Sequence, residues 1–101
     1  MKTLKRGLSP RHPGIIFKDM IIDELPRMSI ASAARALGIS RAHLGNVTKG
    51  KAAITPKLAV KIGKASNTEP RFWLGMQSAY DLWHAEHSLE ATEVITLGSL
   101  T

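Results

Sequence analysis

Residues 30–49 read IASAARALGISRAHLGNVTK, and this stretch predicts two short helices that cross through a tight turn. Apolar residues before Gly38 recur at i, i+3, i+4 and i+7, the spacing of one buried helix face. Gly38 suits the left-handed conformation that ends a helix, and Ala34 is small enough for two helix backbones to cross closely. Leu44 and Val47 then anchor the second helix from its inner side. The pattern predicts a helix-turn-helix, which presents its second helix to the major groove of DNA.

The outer side of the second helix carries the side chains expected to contact DNA. Arg41 can form two hydrogen bonds with guanine, Asn46 can bond adenine or a phosphate, and Ala42 can contact only a thymine methyl. Lysines near the end of this helix are expected to hold the phosphate backbone, and the alternative is that they are solvated surface charges. The histidine there either donates to a base or lies in solvent. The predicted DNA-binding residues are Ser29, Ser32, Ser40, Arg41, Ala42, His43, Asn46, Lys49 and Lys51.

Three more helices are predicted around this motif, so the fold class is an all-α five-helix bundle. Apolar residues spaced by four indicate a helix over 14–25, stopped before Pro26. Thr55 followed by Pro56 opens another helix, and Pro70 opens the longest, which runs to about His87.

The termini differ in composition from this central part. We expect residues 1–13 to form a flexible basic arm, 14–87 to form the DNA-binding and dimerisation domain, and 88–101 to form a tail. Within the tail, residues 92–97 are rich in β-branched side chains and allow one short strand, with disorder as the alternative.

Charge and composition narrow the function classes. The 101 residues carry a net charge of +6, and the two ends differ in sign. Residues 1–64 contain thirteen Lys and Arg and three acidic residues, a net charge of +10. Residues 65–101 contain one Arg and five acidic residues, a net charge of −4. This asymmetry favours one contact face for nucleic acid.

Several other classes are excluded or disfavoured by the residue types. There is no cysteine, no apolar run long enough for a membrane span and no secretory signal pattern, so we expect a cytoplasmic protein with no membrane partner. No nucleophile and base pair is recognisable, and we expect no catalysis and no cofactor. His84 and His87 have a spacing compatible with metal, but no third ligand is evident and no metal site is predicted.

The last helix carries aromatic residues over a wider arc than one core contact needs. A helix-turn-helix monomer covers half an operator, so we interpret the excess as a two-fold interface, across which the tails can also pair. The residues assigned to this homodimer interface are Trp73, Tyr80, Trp83, Val94 and Ile95.

Four motifs in order resemble the HigA family of antitoxins, within the Xre-type repressors. They are HPG at 12–14, ALGISR at 36–41, GKAAITP at 50–56 and FWLGMQSAYDLW at 72–83. The resemblance implies a lambda-repressor-like bundle that binds, as a dimer, double-stranded operator DNA before its own genes. It also implies a type II toxin-antitoxin module, in which the antitoxin neutralises a HigB-type toxin that cleaves messenger RNA. The alternatives are a free-standing Xre-type repressor and a toxin-binding module with little DNA affinity.

Overall fold

A computed structural model of the chain describes residues 8–88 and 94–100. It confirms the all-α class: five helices are present, and no strand occurs within these two ranges. They are α1 (Pro13–Phe17), α2 (Ile30–Leu37), α3 (Arg41–Thr48), α4 (Pro56–Ser66) and α5 (Pro70–Glu86). A π-helical turn, Lys18–Ile22, continues α1 directly, and a short 3-10 helix, Leu97–Leu100, lies near the C-terminus.

The start and stop signals in the sequence act as predicted in the central helices. The side-chain oxygens of Ser29, Ser40 and Thr55 each accept a hydrogen bond from the backbone N–H three residues later, at 3.0, 3.0 and 3.2 Å. Gly38 ends α2 with φ +71°, where a side chain is strained. These local interactions fix the helix boundaries around the turn.

The first helix differs from its prediction. It was expected to be one α-helix over 14–25, but the backbone N–H of Asp23 donates to the Lys18 carbonyl at 2.8 Å, which closes a π turn. The wider turn shifts the buried face by one residue, so Ile22 is buried while Met20 and Leu25 are exposed. The four-residue apolar spacing therefore does not give the buried face of this segment correctly.

All five helices contribute residues to the core, and Trp73 is its largest fully buried side chain. Trp73 is 0% exposed, packs edge-on against Phe17 and donates its indole N–H to the Thr68 hydroxyl at 2.8 Å. Leu44, Val47, Ile54, Leu58 and Ile62 are buried in the same cluster. The buried residues of α2 and α3 thus belong to the same core as those of the other three helices.

The packed domain begins slightly before the predicted boundary at Gly14. His12 and Pro13 are both buried, and the Nδ1 atom of His12 caps α1 by accepting the Gly14 N–H at 2.9 Å. The ring of His12 also meets Tyr80 edge-on, with centroids 4.8 Å apart. Residues 1–7 lie outside the described ranges, so flexibility of the arm stays a prediction.

We expect the stability of the fold to decrease when the pH falls below about 6.5. Burial of the ring lowers the pKa of His12 below its usual 6.5, while the charge of Asp81 acts in the opposite direction. The unfolded chain therefore binds the proton first, so the contribution of His12 is complete above 6.5 and is lost as the pH falls toward the folded-state pKa. Protonation also removes the Nδ1 lone pair that caps α1. Urea unfolding over about pH 7.5 to 5.5 measures the effect.

His12→Asn is the matched control for this pH dependence. Asparagine keeps an oxygen for the N-cap but does not titrate, so its stability profile should be flatter over the same range. An equal fall in stability for wild type and His12→Asn would show that the pH dependence does not come from His12.

The C-terminal segment corrects the strand prediction where it is described. Residues 92 and 93 lie outside the described ranges, Val94, Ile95 and Thr96 have no regular secondary structure, and Leu97 begins the 3-10 helix. A strand needs a neighbouring strand with which to form backbone hydrogen bonds, and residues 8–88 and 94–100 contain none.

Candidate DNA-binding surface

The turn between α2 and α3 fixes which side of α3 faces outward. The N–H of Ile39 donates to the Ala34 carbonyl at 3.0 Å, and Ala34 is buried where the two helices meet. Leu44 and Val47 are both 0% exposed. These two residues and the buried Thr48 occupy the inner side of α3, so the side chains on the opposite side of the helix form its outer face.

That outer face carries most of the predicted DNA-binding residues. Arg41, Ala42, His43, Asn46 and Lys49 are all exposed. Gly45 is half-buried and adds no side chain, which leaves the backbone of α3 open between Arg41 and Asn46. Sequence reasoning therefore located the helix face correctly, whereas contact with bases stays a prediction.

The predicted serines act first as local caps. The Ser40 hydroxyl is bonded to the His43 N–H, and the Ser29 hydroxyl accepts from the Ser32 N–H while donating to the Ser32 hydroxyl at 3.0 Å. Ser29 and Ser40 are exposed and Ser32 is half-buried, so each hydroxyl borders solvent at a helix N-terminus. Lys51 follows α3, is exposed, and donates its backbone N–H to the Asn46 carbonyl at 2.8 Å.

A groove of about 630 Å3 runs along one edge of α3. Arg41, Asn46 and Lys49 line it from α3, Ile30 lines it from α2, and Lys18 lines it from the π turn. Lys18 is not among the residues predicted from sequence, because the fold of the first helix, and not any local pattern, brings it to this surface. Its ammonium group pairs with Asp23 at 3.0 Å.

The other cations of this surface form no ion pair in the part of the chain that the structure describes. Within the described ranges the ion pairs are Lys18 with Asp23 and Arg11 with Asp19, both exposed. Arg41, Lys49 and Lys51 have no carboxylate partner in that part of the chain, so their positive charges are available to a polyanion.

The predicted interface residues separate into two groups. Trp73 is fully buried inside one chain, so it has no surface to offer a second copy, and its assignment to the interface was wrong. Tyr80 and Trp83 are half-buried, and Val94 and Ile95 are 78% and 62% exposed. These four remain accessible to a partner.

The histidines at the end of α5 pack against aromatic rings. His87 stacks on Trp83 with centroids 3.8 Å apart, and His84 lies 4.3 Å from the ring of Tyr80. The described part of the chain contains no group of three His, Asp or Glu side chains that could hold a metal ion. No helix in that part is long and apolar enough to span a membrane.

Comparison with known proteins agrees with this geometry. The helix-turn-helix family model matches residues 26–73. Virulence-associated protein A' of Dichelobacter nodosus is 42% identical over 77% of this chain and 67% of its own length. An HTH-type transcriptional regulator of Escherichia coli is 33% identical over 90% of this chain and 94% of its own. The antitoxin HigA of Pseudomonas aeruginosa, solved with the higBA promoter, has a TM-score of 0.78 and 30% identity over 87% of this chain and 98% of that one.

The fold and the exposed face of α3 are those of a helix-turn-helix DNA-binding regulator, a class of binding proteins and not of enzymes. The antitoxin structure extends the likeness to the whole bundle, including α5. The chain belongs to the HigA family of antitoxins, within the Xre-type helix-turn-helix group.

Proposed function

We propose that this protein is the antitoxin of a type II toxin-antitoxin module. In this proposal it binds, as a homodimer in the cytoplasm, to operator DNA before its own genes and represses them, and it neutralises a HigB-type toxin that cleaves messenger RNA. It performs no catalysis itself. The observation that carries the DNA-binding half is the outer face of α3, which displays Arg41 and Asn46 while Leu44 and Val47 are wholly buried.

The chemistry of that face suits reading of a duplex. A helix fits the major groove, where a guanidinium can bond guanine at two atoms and an amide can bond adenine at two atoms. Lys49 and Lys51 border this face and suit phosphate oxygens. The structure of Pseudomonas aeruginosa HigA with the higBA promoter, which has a similar fold, supports DNA binding by this protein.

The antitoxin half is tested by expressing the reading frame next to this gene. Expressed alone, that frame should arrest growth, and co-expression of this protein should restore growth and allow the two to be purified together. If the neighbour is harmless, or remains lethal with this protein present, the antitoxin proposal fails. A mobility-shift titration on the upstream DNA then decides whether a free-standing repressor remains.

Arg41→Ala should weaken operator binding by about 1 to 3 kcal/mol, because a bidentate contact to guanine is lost. The loss should be greater on the operator than on random DNA, so specificity should fall as well. Competition mobility shifts with both duplexes measure the two effects.

Arg35→Ala is the matched control, since Arg35 is also exposed but lies in the last turn of α2, outside the groove beside α3. It should leave the ratio of operator to random binding unchanged. An equal loss on both duplexes for Arg41→Ala would make Arg41 a backbone contact instead of a base contact.

The proposed dimer uses the outer side of α5. A groove of about 530 Å3 lies there between α5 and the segment before α1, lined by apolar groups that include Leu8, Pro10, Leu82 and Trp83. Leu82 is 58% exposed, and Val94 and Ile95 of the tail are exposed as well. Burial of these side chains against a second copy would supply the apolar centre that a stable interface requires.

Trp83→Ala should raise the dimer dissociation constant roughly 30-fold, since aromatic anchors at interface centres each contribute about 2 kcal/mol or more. Sedimentation velocity over a range of concentrations measures the change. Val60→Ala, which removes an exposed apolar side chain from α4, should leave the distribution unchanged. Identical sedimentation of the two variants would remove Trp83 from the interface.

A further inference from the structure

A second and smaller recess lies on the other edge of α3, where that helix meets α4. Its volume is about 100 Å3, and its walls include His43 from α3 and Lys57 and Lys61 from α4. His43 and Arg41 are two positions apart, so at 3.6 residues per turn their side chains diverge by about 160° around the helix axis. The recess and the larger groove therefore border opposite edges of the outer face of α3.

The lining of this recess supplies hydrogen-bond donors and positive charge. Lys57 and His43 are exposed, and Lys61 is half-buried. The ammonium group of Lys61 reaches back over the turn and lies 3.5 Å from the Gly38 carbonyl oxygen. An ammonium group has three N–H donors, so this contact leaves donors available, and an imidazole supplies another.

Among the described residues, no carboxylate pairs with these groups. None of the six residues that line the recess is acidic. Neither Lys57 nor Lys61 forms an ion pair with a carboxylate in the described ranges, whereas Lys18 on the opposite edge is paired with Asp23. The α3–α4 recess is thus a small concave site of uncompensated cations.

The dimensions of DNA indicate what this site binds. The major groove is about 12 Å wide, and a helix with its side chains is about 10 to 12 Å across. A helix lying in the groove therefore has one phosphate backbone at each edge. We propose that the recess formed by His43, Lys57 and Lys61 binds a backbone phosphate of one operator strand, and that it fixes the depth and tilt of α3 in the groove.

This inference rests on the proposed function, because it requires α3 to enter the major groove. It goes beyond it by assigning a phosphate site to α4, outside the helix-turn-helix itself. The site carries no sequence information of its own, since every nucleotide presents the same phosphate. Its effect is on affinity, salt dependence and positioning.

The test is the salt dependence of DNA binding by the double variant Lys57→Gln with Lys61→Gln. Each phosphate contact contributes about 0.9 to the slope of log K against log salt concentration. The variant should therefore lose about one unit of slope for each bound protomer, and its affinity should fall by the same factor on operator and on random duplex. Glutamine removes the charge but has a helix propensity close to that of lysine, and melting curves check that the fold is retained.

Lys64→Gln is the matched control. Lys64 is exposed on α4 and carries the same charge, but it does not line the recess. Its slope should stay close to that of the wild type. If the double variant loses no more slope than twice the loss of Lys64→Gln, the lysines act only through general charge and the phosphate site is wrong.

Neutral methylphosphonate linkages locate the contact on the DNA. Single substitutions along each strand should identify a phosphate whose neutralisation weakens the wild type but has no effect on the double variant. If no position behaves in this way, the proposed site is overturned even if operator binding is intact. If the wild type shows no preference for the operator, the proposed function fails, while the slopes on random duplex still decide on the recess.

Discussion

Gly14→Ala is expected to destabilise the fold by about 3 kcal/mol, because there is no space for a side chain where α1 meets α3. A β-carbon at Gly14 would overlap the Val47 carbonyl oxygen and lie 2.6 Å from its carbonyl carbon. Both are backbone atoms of α3 and cannot rotate away as a side-chain tip would. The two helices must therefore separate, and Val47, which anchors α3 from inside, moves with them.

Gly75→Ala is the control that isolates this contact. Gly75 lies within α5, and an added β-carbon there meets nothing within 4 Å. Alanine is favoured over glycine in a helix by about 0.5 to 1 kcal/mol, so Gly75→Ala should be stabilising. Urea unfolding should show a lower free energy of unfolding for Gly14→Ala and a higher one for Gly75→Ala. An increase for Gly14→Ala would contradict the close approach of Gly14 to the Val47 backbone. Operator affinity should fall only for Gly14→Ala.

The central part of the fold was predictable because its determinants are local in sequence. Ser29, Ser40 and Gly38 act within one helical turn of the residues they cap, and the spacing of Leu44 and Val47 defines an inner face without knowledge of what covers it. The outer face of α3 follows from these residues alone. For this reason the exposed side chains from Arg41 to Lys49 could be named in advance.

The parts that the sequence analysis missed depend on contacts between distant elements. Lys18 reaches the groove beside α3 through the π turn, and Lys57 and Lys61 reach the other edge through the packing of α4. Their spacing along the chain gives no sign of either position. A lysine on a helix has the same local pattern whether it borders a binding surface or faces open solvent.

Aromatic residues on α5 show a second kind of ambiguity. Periodicity places Trp73 and Trp83 on one broad arc, but it does not tell which part of an arc the same chain covers. The structure puts Trp73 in the core and leaves Trp83 half-buried. Trp73 packs against Phe17 and donates a hydrogen bond to Thr68, and neither contact is visible in the periodicity of α5.

Trp73→Ala is accordingly expected to destabilise the folded chain by about 3 to 5 kcal/mol, the usual cost of removing a fully buried tryptophan. It leaves a cavity beside Phe17 and removes the hydrogen bond to the Thr68 hydroxyl. Trp73→Phe, which keeps a ring but not the indole N–H, should cost less.

Chemical denaturation over a range of protein concentrations separates this core role from a role in the interface. The deficit of Trp73→Ala should persist at every concentration, because the lost contacts lie within one chain. A deficit that disappears when protein concentration is lowered until both proteins are monomeric would show that the lost stability comes from dimerisation. That result would return Trp73 to the interface, and the packing of α5 against α1 and α4 would have to be revised.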